Sequence, residues 1–375
     1  MMKCTGCSAC DIACPVDCIA MKRNEKGFLR PVADKTRCIK CGLCDKVCVL
    51  KENQLKSLDE AEMYSAFSKD STVRESTSSG GIGYCLAKNA FDHGYMVCGA
   101  AFDYKEKKVK HIICRSKFDI EKLKGSKYLQ SECVEAFKKI VYELKSNPDK
   151  KAMIFGTPCQ IVGLDNILKK KKLREQAVLV DIFCHGVPSQ LLWSQYISWL
   201  NKKHKIKWED VKEIIFRDKK YSWHSYFMHI KTNQKEYVCN RETDLFLKLF
   251  SMGVLNQKEC YTCQFRNSSA ADIRLGDYWG KRYENSEEGF SMVLLQTEEG
   301  KEFFDNLDKI EAFRVPIEER LGQQHEDYKI PKYWDKGFEL LLDGKSLRKV
   351  IILHDPIHKA MWREIKQKIK SILIR

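Results

Sequence analysis

The chain has 375 residues, 43% hydrophobic and 11% aromatic, with 66 Lys+Arg against 51 Asp+Glu for a formal charge of +15. This composition excludes a disordered basic tail, and the length suits two or three domains with a full hydrophobic core. No apolar run reaches the length of a membrane span, and mean hydropathy is −0.44, which argues against a bilayer-spanning protein.

No apolar stretch follows Met1-Met2-Lys3-Cys4, so no secretory signal is read and a cytoplasmic location is expected. In a reducing compartment, 18 cysteines point to metal rather than to disulfides. Nine of them fall within the first 48 residues. Cys4-x2-Cys7-x2-Cys10-x3-Cys14-Pro15 is followed by Cys38-x2-Cys41-x2-Cys44-x3-Cys48, two copies of one unit. Three closely spaced thiolates wrap one face of a cuboidal cluster and the fourth crosses to its partner, as in two-cluster bacterial ferredoxins. The spacing therefore assigns Cys4, Cys7, Cys10 and Cys48 to one [4Fe–4S] cluster, and Cys38, Cys41, Cys44 and Cys14 to another. Paired zinc sites are the alternative, but zinc does not call for this triplet-plus-one pattern. Cys18 has no role in the scheme and reads as a small buried filler. The run starts almost at the first residue, so the module is expected to lean on the rest of the chain.

Residues 51–75 are polar, and Ser76-Thr77-Ser78-Ser79-Gly80-Gly81 reads as a loop. A helix is expected through Ile82, Cys85, Leu86 and Phe91, then a strand over Tyr95–Phe102. Ser78-Ser79-Gly80-Gly81 before a helix is a weak phosphate-loop signal, strengthened by Gly125-Ser126-Lys127-Tyr128-Leu129-Gln130-Ser131 before the next helix, Val134–Leu144. Lys151–Phe155 and Ala177–Phe183 read as buried strands flanking a helix over Ile161–Lys172, a βαβ unit whose strands are parallel. Alternating runs at Val211–Arg217, Ser225–Lys231 and Glu236–Cys239 suggest a small antiparallel region.

The βαβ unit places Cys159 and Cys184 just past the carboxyl ends of its strands, the edge where open α/β sheets bind ligands. With Cys260 and Cys263, from Cys260-x2-Cys263, they make a four-thiol set able to hold a third [4Fe–4S] cluster. Inert thiols at Cys159 and Cys184, with zinc or nothing at Cys260 and Cys263, remain the alternative. Cys85, Cys98, Cys114, Cys133 and Cys239 are scattered and read as structural. Residues 358–374 place Trp362, Ile365, Ile369, Ile372 and Leu373 on one face of a basic amphipathic helix, suited to packing on the protein or to peripheral contact with the inner membrane face.

These motifs, closed by Asp272-Ile273-Arg274-Leu275-Gly276-Asp277-Tyr278-Trp279-Gly280, resemble the coenzyme F420 hydrogenase/dehydrogenase beta subunit family, behind a two-cluster ferredoxin. The resemblance runs from about Tyr64 to Gly280. It implies an α/β (α+β) protein: a two-[4Fe–4S] ferredoxin-like module at 1–55, a mixed-sheet flavin and iron–sulfur domain at 56–355 and the C-terminal helix at 356–375. It also implies FAD, with Ser78, Ser79, Gly80 and Gly81 on its phosphates and Ser126, Lys127, Tyr128 and Gln130 near the ring or pyrophosphate. Cys159, Cys184, Cys260 and Cys263 carry over as ligands of the core cluster. The implied activity is an iron–sulfur flavin oxidoreductase acting on an organic substrate or deazaflavin, and some members are tied to surface-polysaccharide pathways. The implied partner is a ferredoxin or another oxidoreductase subunit; a non-catalytic electron-transfer subunit is the rival reading. Nucleic acid is not an expected partner, since the motifs are metal and phosphate loops without a basic aromatic platform. Three clusters of roughly −2 each would also lower the balance to about +9.

Overall fold

The computed structural model describes residues 3–51, 53–321 and 329–355. The expected helix at 358–374, with its membrane contact, lies outside the described residues. Among the described residues no helix is long and apolar enough to cross a membrane.

The N-terminal module holds two one-turn helices, Ala9–Ile12 (α1) and Leu43–Lys46 (α2), and one antiparallel hairpin, Ile19–Arg23 (β1) with Leu29–Ala33 (β2). So small a unit cannot bury a core of its own. Its Ala9, Ile12, Ala13 and Val47 instead join Phe137, Ile140, Ile161 and Leu164 of the following domain in one apolar cluster.

That domain is built on nine strands. In chain order they begin with Glu62–Ser68 (β3), Met96–Asp103 (β4), Lys108–Ile113 (β5), Ser131–Glu132 (β6), Ala152–Phe155 (β7) and Ala177–Ile182 (β8). After a separate three-stranded sheet of Val211–Asp218 (β9), Phe227–Thr232 (β10) and Glu236–Asn240 (β11) come Ile273–Asp277 (β12), Ser291–Leu295 (β13) and Ile310–Val315 (β14). The large sheet runs β14-β3-β13-β12-β8-β7-β4-β5-β6. Its centre, β4-β7-β8-β12, is parallel, with Ala152 opposite Ala177 and Phe155 opposite Val180. Antiparallel pairs flank it at β12-β13-β3-β14 and β4-β5, so the sheet is mixed.

Period-two alternation explains why the central strands are apolar throughout. Ala152, Ile154, Ala177 and Leu179 face the helices Val134–Ser146 (α4) and Pro158–Lys170 (α5), whereas Met153, Val178 and Val180 face Ile82–Asp92 (α3). The small sheet packs against Gln190–His204 (α6) in an aromatic core of Trp193, Phe216 and Phe246.

Two expectations shift. Helix α5 starts at Pro158 rather than Ile161, because the Thr157 backbone N–H and hydroxyl both donate to Gln160 Oε1, at 3.1 and 2.9 Å, and proline suits the first turn. Strand β3 lies inside the polar 51–75 stretch and was not expected there. Its buried positions include Ser65 and Ser68 beside Met63 and Ala66, so hydrophobicity does not mark it.

Gly163 sets how closely α5 approaches the module, since a Cβ there would lie 2.8 Å from Ala9 Cβ and 3.5 Å from Cys7 Sγ. Gly163→Leu is expected to weaken this seating by about 1–3 kcal/mol. Thermal melts would show an earlier transition accompanied by loss of N-terminal iron.

Candidate functional site

In the module, burial pushes the Cys7 thiol up to about 11 and Cys10 up to about 12. Hydrogen bonds from the Ala9 backbone and the Thr5 side chain offset part of the rise at Cys7. Cys4 and Cys48 act on Cys7, and Cys4 and Cys7 act on Cys10, so these four thiols form one group. Cys14 lies apart, its Sγ accepting from the Cys18 backbone N–H at 3.3 Å and standing 3.4 Å from Cys18 Sγ. Cys18 is buried and also contacts Cys38, bridging the two ends of the second set. Cys38, Cys41 and Cys44 are exposed, in contrast to the first set.

The core set is assembled from three elements. Cys159 sits in the first turn of α5, where free backbone amides favour negative charge. Cys184 follows β8, and Cys260 lies on the turn Lys258–Tyr261, with Cys263 just beyond. All four line one cavity with Thr5, Phe183, Arg266 and Arg274. Burial raises each thiol, Cys184 to about 11; Cys263 adds to the rise at Cys184, and both add to the rise at Cys260. Four half-buried thiols around one cavity, whose thiolates would repel one another, fit a cationic iron–sulfur core, which deprotonates its ligands outright. Among the described residues no group of three or more His, Cys, Asp or Glu is drawn in to the spacing of a single metal ion. The four thiols surround a cavity rather than a point.

Beside them lies an ion pair almost without solvent contact. Arg274 donates from Nε and Nη2 to the two oxygens of Asp181 at 2.7 Å each and from Nη1 to the Phe265 and Arg266 carbonyls. Its charge favours the thiolates of Cys184 and Cys263.

The two cysteine systems adjoin. Cys7 is an electrostatic neighbour of Cys159, and Cys7, Cys159 and Cys263 each pack against the cluster of Val49, Val162 and Phe265.

A separate pocket of about 1320 Å³, within reach of a dinucleotide's size, is bounded by β4, β5, β9 and the 115–127 segment. Ser78, Ser126 and Lys127 line it. Ser78 Oγ accepts from Ser126 N and Oγ at 2.8 and 3.0 Å, tying the two loops together. Lys127 Nζ donates to the carbonyls of Leu123, Lys124 and Gly125, and burial pushes its pKa down to about 7. Its ammonium therefore shapes its own loop. Ser79 Oγ donates to the Phe290 carbonyl, while a Cβ at Gly80 would lie 2.4 Å from the Ala66 carbonyl oxygen, so this glycine is required by sheet packing. Gly81, at φ +87°, opens α3 with no side-chain cap.

Tyr128 and Gln130 are not among the residues that line this pocket, though Tyr128 neighbours Ser126 and Arg217, which do. Tyr128 stacks on Phe250 at 4.1 Å in the aromatic core. Gln130 holds the ferredoxin module, accepting from Leu29 N and donating to Gly6 O at 3.3 and 3.4 Å. Sequence reading missed Arg217 and Lys219, which line the pocket from β9 and just beyond it. No local spacing marks them, since strand pairing alone brings them there.

Comparison with known proteins gives three matches in chain order. Residues 3–51 match the 4Fe-4S dicluster domain, 63–138 the N-terminal part of the coenzyme F420 hydrogenase/dehydrogenase beta subunit, and 149–317 its C-terminal part. An uncharacterized protein of Methanocaldococcus jannaschii is 26% identical over 339 residues, covering 80% of this chain and 86% of that one. The methylamine utilization ferredoxin-type protein MauM of Methylobacillus flagellatus is 41% identical over 58 residues, 14% of this chain and a 25% share of that protein. Among solved structures, a chain of the F420-reducing [NiFe] hydrogenase complex from Methanosarcina barkeri aligns with a TM-score of 0.48 at 19% identity, covering 76% of this chain and 88% of that one. Both halves of one family, in order and behind a dicluster domain, place the chain in the coenzyme F420 hydrogenase/dehydrogenase beta subunit family, with an iron–sulfur electron-transfer module at its N-terminal end.

Proposed function

We propose that the chain is an iron–sulfur flavoprotein oxidoreductase that carries electrons between an external donor and an organic substrate or deazaflavin. When bound, iron–sulfur clusters carry electrons singly and FAD exchanges them singly or in pairs. Cys38, Cys41, Cys44 and Cys14 would hold the cluster nearest the surface. Cys4, Cys7, Cys10 and Cys48 would hold the next, and Cys159, Cys184, Cys260 and Cys263 the third. Ser78, Ser126 and Lys127 would border the flavin, with Ser79, Gly80 and Gly81 shaping the loop behind them. The observation that carries this reading is that Cys7, Cys159 and Cys263 all pack against one apolar cluster of Val49, Val162 and Phe265, so the inner module set and the core set adjoin.

Anaerobic purification with iron, sulfide and flavin counting tests it. About 12 irons and one flavin per chain are expected; about 8 irons would remove the core cluster. Absence of flavin would overturn the reading. A flavin-loaded chain that reduces no organic acceptor alone would instead favour an electron-transfer subunit feeding a partner, as the family's subunit name allows.

The outer set also suggests the donor. Cys38–Cys44 is flanked by exposed Lys35, Arg37, Lys40 and Lys46, and Ile39 is 60% exposed among them. An apolar contact with a surplus of cations over the exposed Asp34 and Asp45 around it suits a small acidic electron carrier. Lys40→Glu is expected to slow reduction by such a carrier roughly 3–10-fold at low salt, with the difference fading as ionic strength rises. Stopped-flow reduction across a salt series checks this.

A further inference from the structure

Buried donors without partners concentrate around one ring, Trp279. Arg217 is 5% exposed and Trp223 0%. The Arg217 guanidinium lies 4.8 Å from the Trp279 ring centre and 5.0 Å from that of Tyr226. Trp223 stacks on Trp279 at 4.6 Å, and His224 lies 5.6 Å from the same ring. Asp277 accepts from Arg217 Nη1, but Nε and Nη2 have no partner, nor do Trp223 Nε1 and His224 Nε2. Buried polar atoms are rarely left unpaired, and several around one ring call for an explanation.

The chemistry of the set is specific. Arginine and indole nitrogens only donate, so the missing partner is an acceptor. Nε and Nη2 form the edge of guanidinium that grips a carboxylate or phosphate through two parallel hydrogen bonds. Asp277 occupies the other side and fixes the orientation of this fork. Arg217 lines the large pocket, while its Nε and Nη2 are covered, so an anion bound there would reach this edge by displacing the side chains over it. The neighbouring cation does not compete, because Lys219 Nζ is turned to the carbonyls of Ser79 and Glu288.

We propose that the Nε–Nη2 edge of Arg217, with Trp223 and His224 beside it, recognises a carboxylate or phosphate group of the organic substrate. The proposal rests on the oxidoreductase reading and deepens it, since it makes the substrate an anion. The flavin's own phosphates are the other possible source of such a group, and the test separates the two.

The anaerobically purified, cofactor-loaded full chain is titrated with benzoate and with inorganic phosphate while tryptophan fluorescence is followed. Saturable quenching by one of them is expected, at least ten-fold weaker in Arg217→Gln, with flavin content per chain unchanged. Trp223→Phe keeps the stacked ring and removes one donor, and is expected to weaken binding several-fold. Loss of flavin from Arg217→Gln would assign the anion to the cofactor and overturn the proposal. No quenching by either anion, or equal affinity in Arg217→Gln, would also overturn it. Should Arg217→Gln fail to fold, unchanged binding in Trp223→Phe would overturn it. Flavin counted in the unaltered chain judges the underlying reading separately.

Discussion

Cys159→Ser is expected to lower iron from about 12 to about 8 per chain while leaving both N-terminal clusters in place. Cys159 belongs to the first turn of α5 and lies half-buried near Cys184, Cys263 and Cys7, so a hydroxyl there replaces a soft thiolate with a weak, neutral ligand. The N-terminal thiols lie on other loops and keep their own spacing. Electron paramagnetic resonance of the dithionite-reduced protein should therefore lose one cluster signal and retain two. On the proposed path, reduction of a bound flavin through the module should slow by at least ten-fold, because the station between the Cys7 set and the flavin would be lost. Unchanged iron content in Cys159→Ser would remove this residue from the ligand set. Retained iron in Cys260→Ser as well would remove the third cluster.

Asp181→Asn is expected to be the most destabilising single change near the site, costing about 3–5 kcal/mol. Asp181 is 0% exposed and Arg274 1%, and the carboxylate also accepts from Ser269 Oγ at 2.7 Å. Neutralising it strands a guanidinium in the core, where desolvation is not repaid. For a chain of this size the melting temperature should fall on the order of 5–15 °C. Replacing both partners with apolar residues, Asp181→Leu with Arg274→Met, should recover much of the loss. The double variant removes Asp181's opposing charge along with Arg274's, so only the excess of Arg274's effect on Cys184 and Cys263 is lost and a small redox change should remain. A lower midpoint potential for the core cluster, read by spectroscopic titration, is the expected sign. An unchanged melting temperature in Asp181→Asn would show that the pair carries little of the fold's stability.

Much of the architecture was legible in the sequence where short-range rules apply. The strands Ala152–Phe155 and Ala177–Ile182 announced themselves as unbroken apolar runs, and the turns after them put Cys159 and Cys184 on one sheet edge. The antiparallel runs from Val211 to Asn240 were marked by alternation. Strand β3 was not, because its inward positions include serines whose burial depends on neighbours far along the chain. Gln130 and Tyr128 share a loop with Lys127, yet face the ferredoxin module and the aromatic core respectively. Local pattern cannot separate such neighbours, since their directions are set by what packs above them.

The sequence by itself determined the donor chemistry: thiols at ferredoxin spacing, a βαβ unit with cysteines at its strand ends and an N-terminal unit too small to stand alone. These follow from covalent spacing and from periods of two and 3.6 residues, which are properties of short segments. Only the tertiary structure decided that Cys7 meets Cys159, that Cys18 stands between Cys14 and Cys38, and that Arg217 is held by Asp277 with its other edge unpartnered. Those contacts join residues tens to hundreds of positions apart, and close packing of sheet, helices and module creates them.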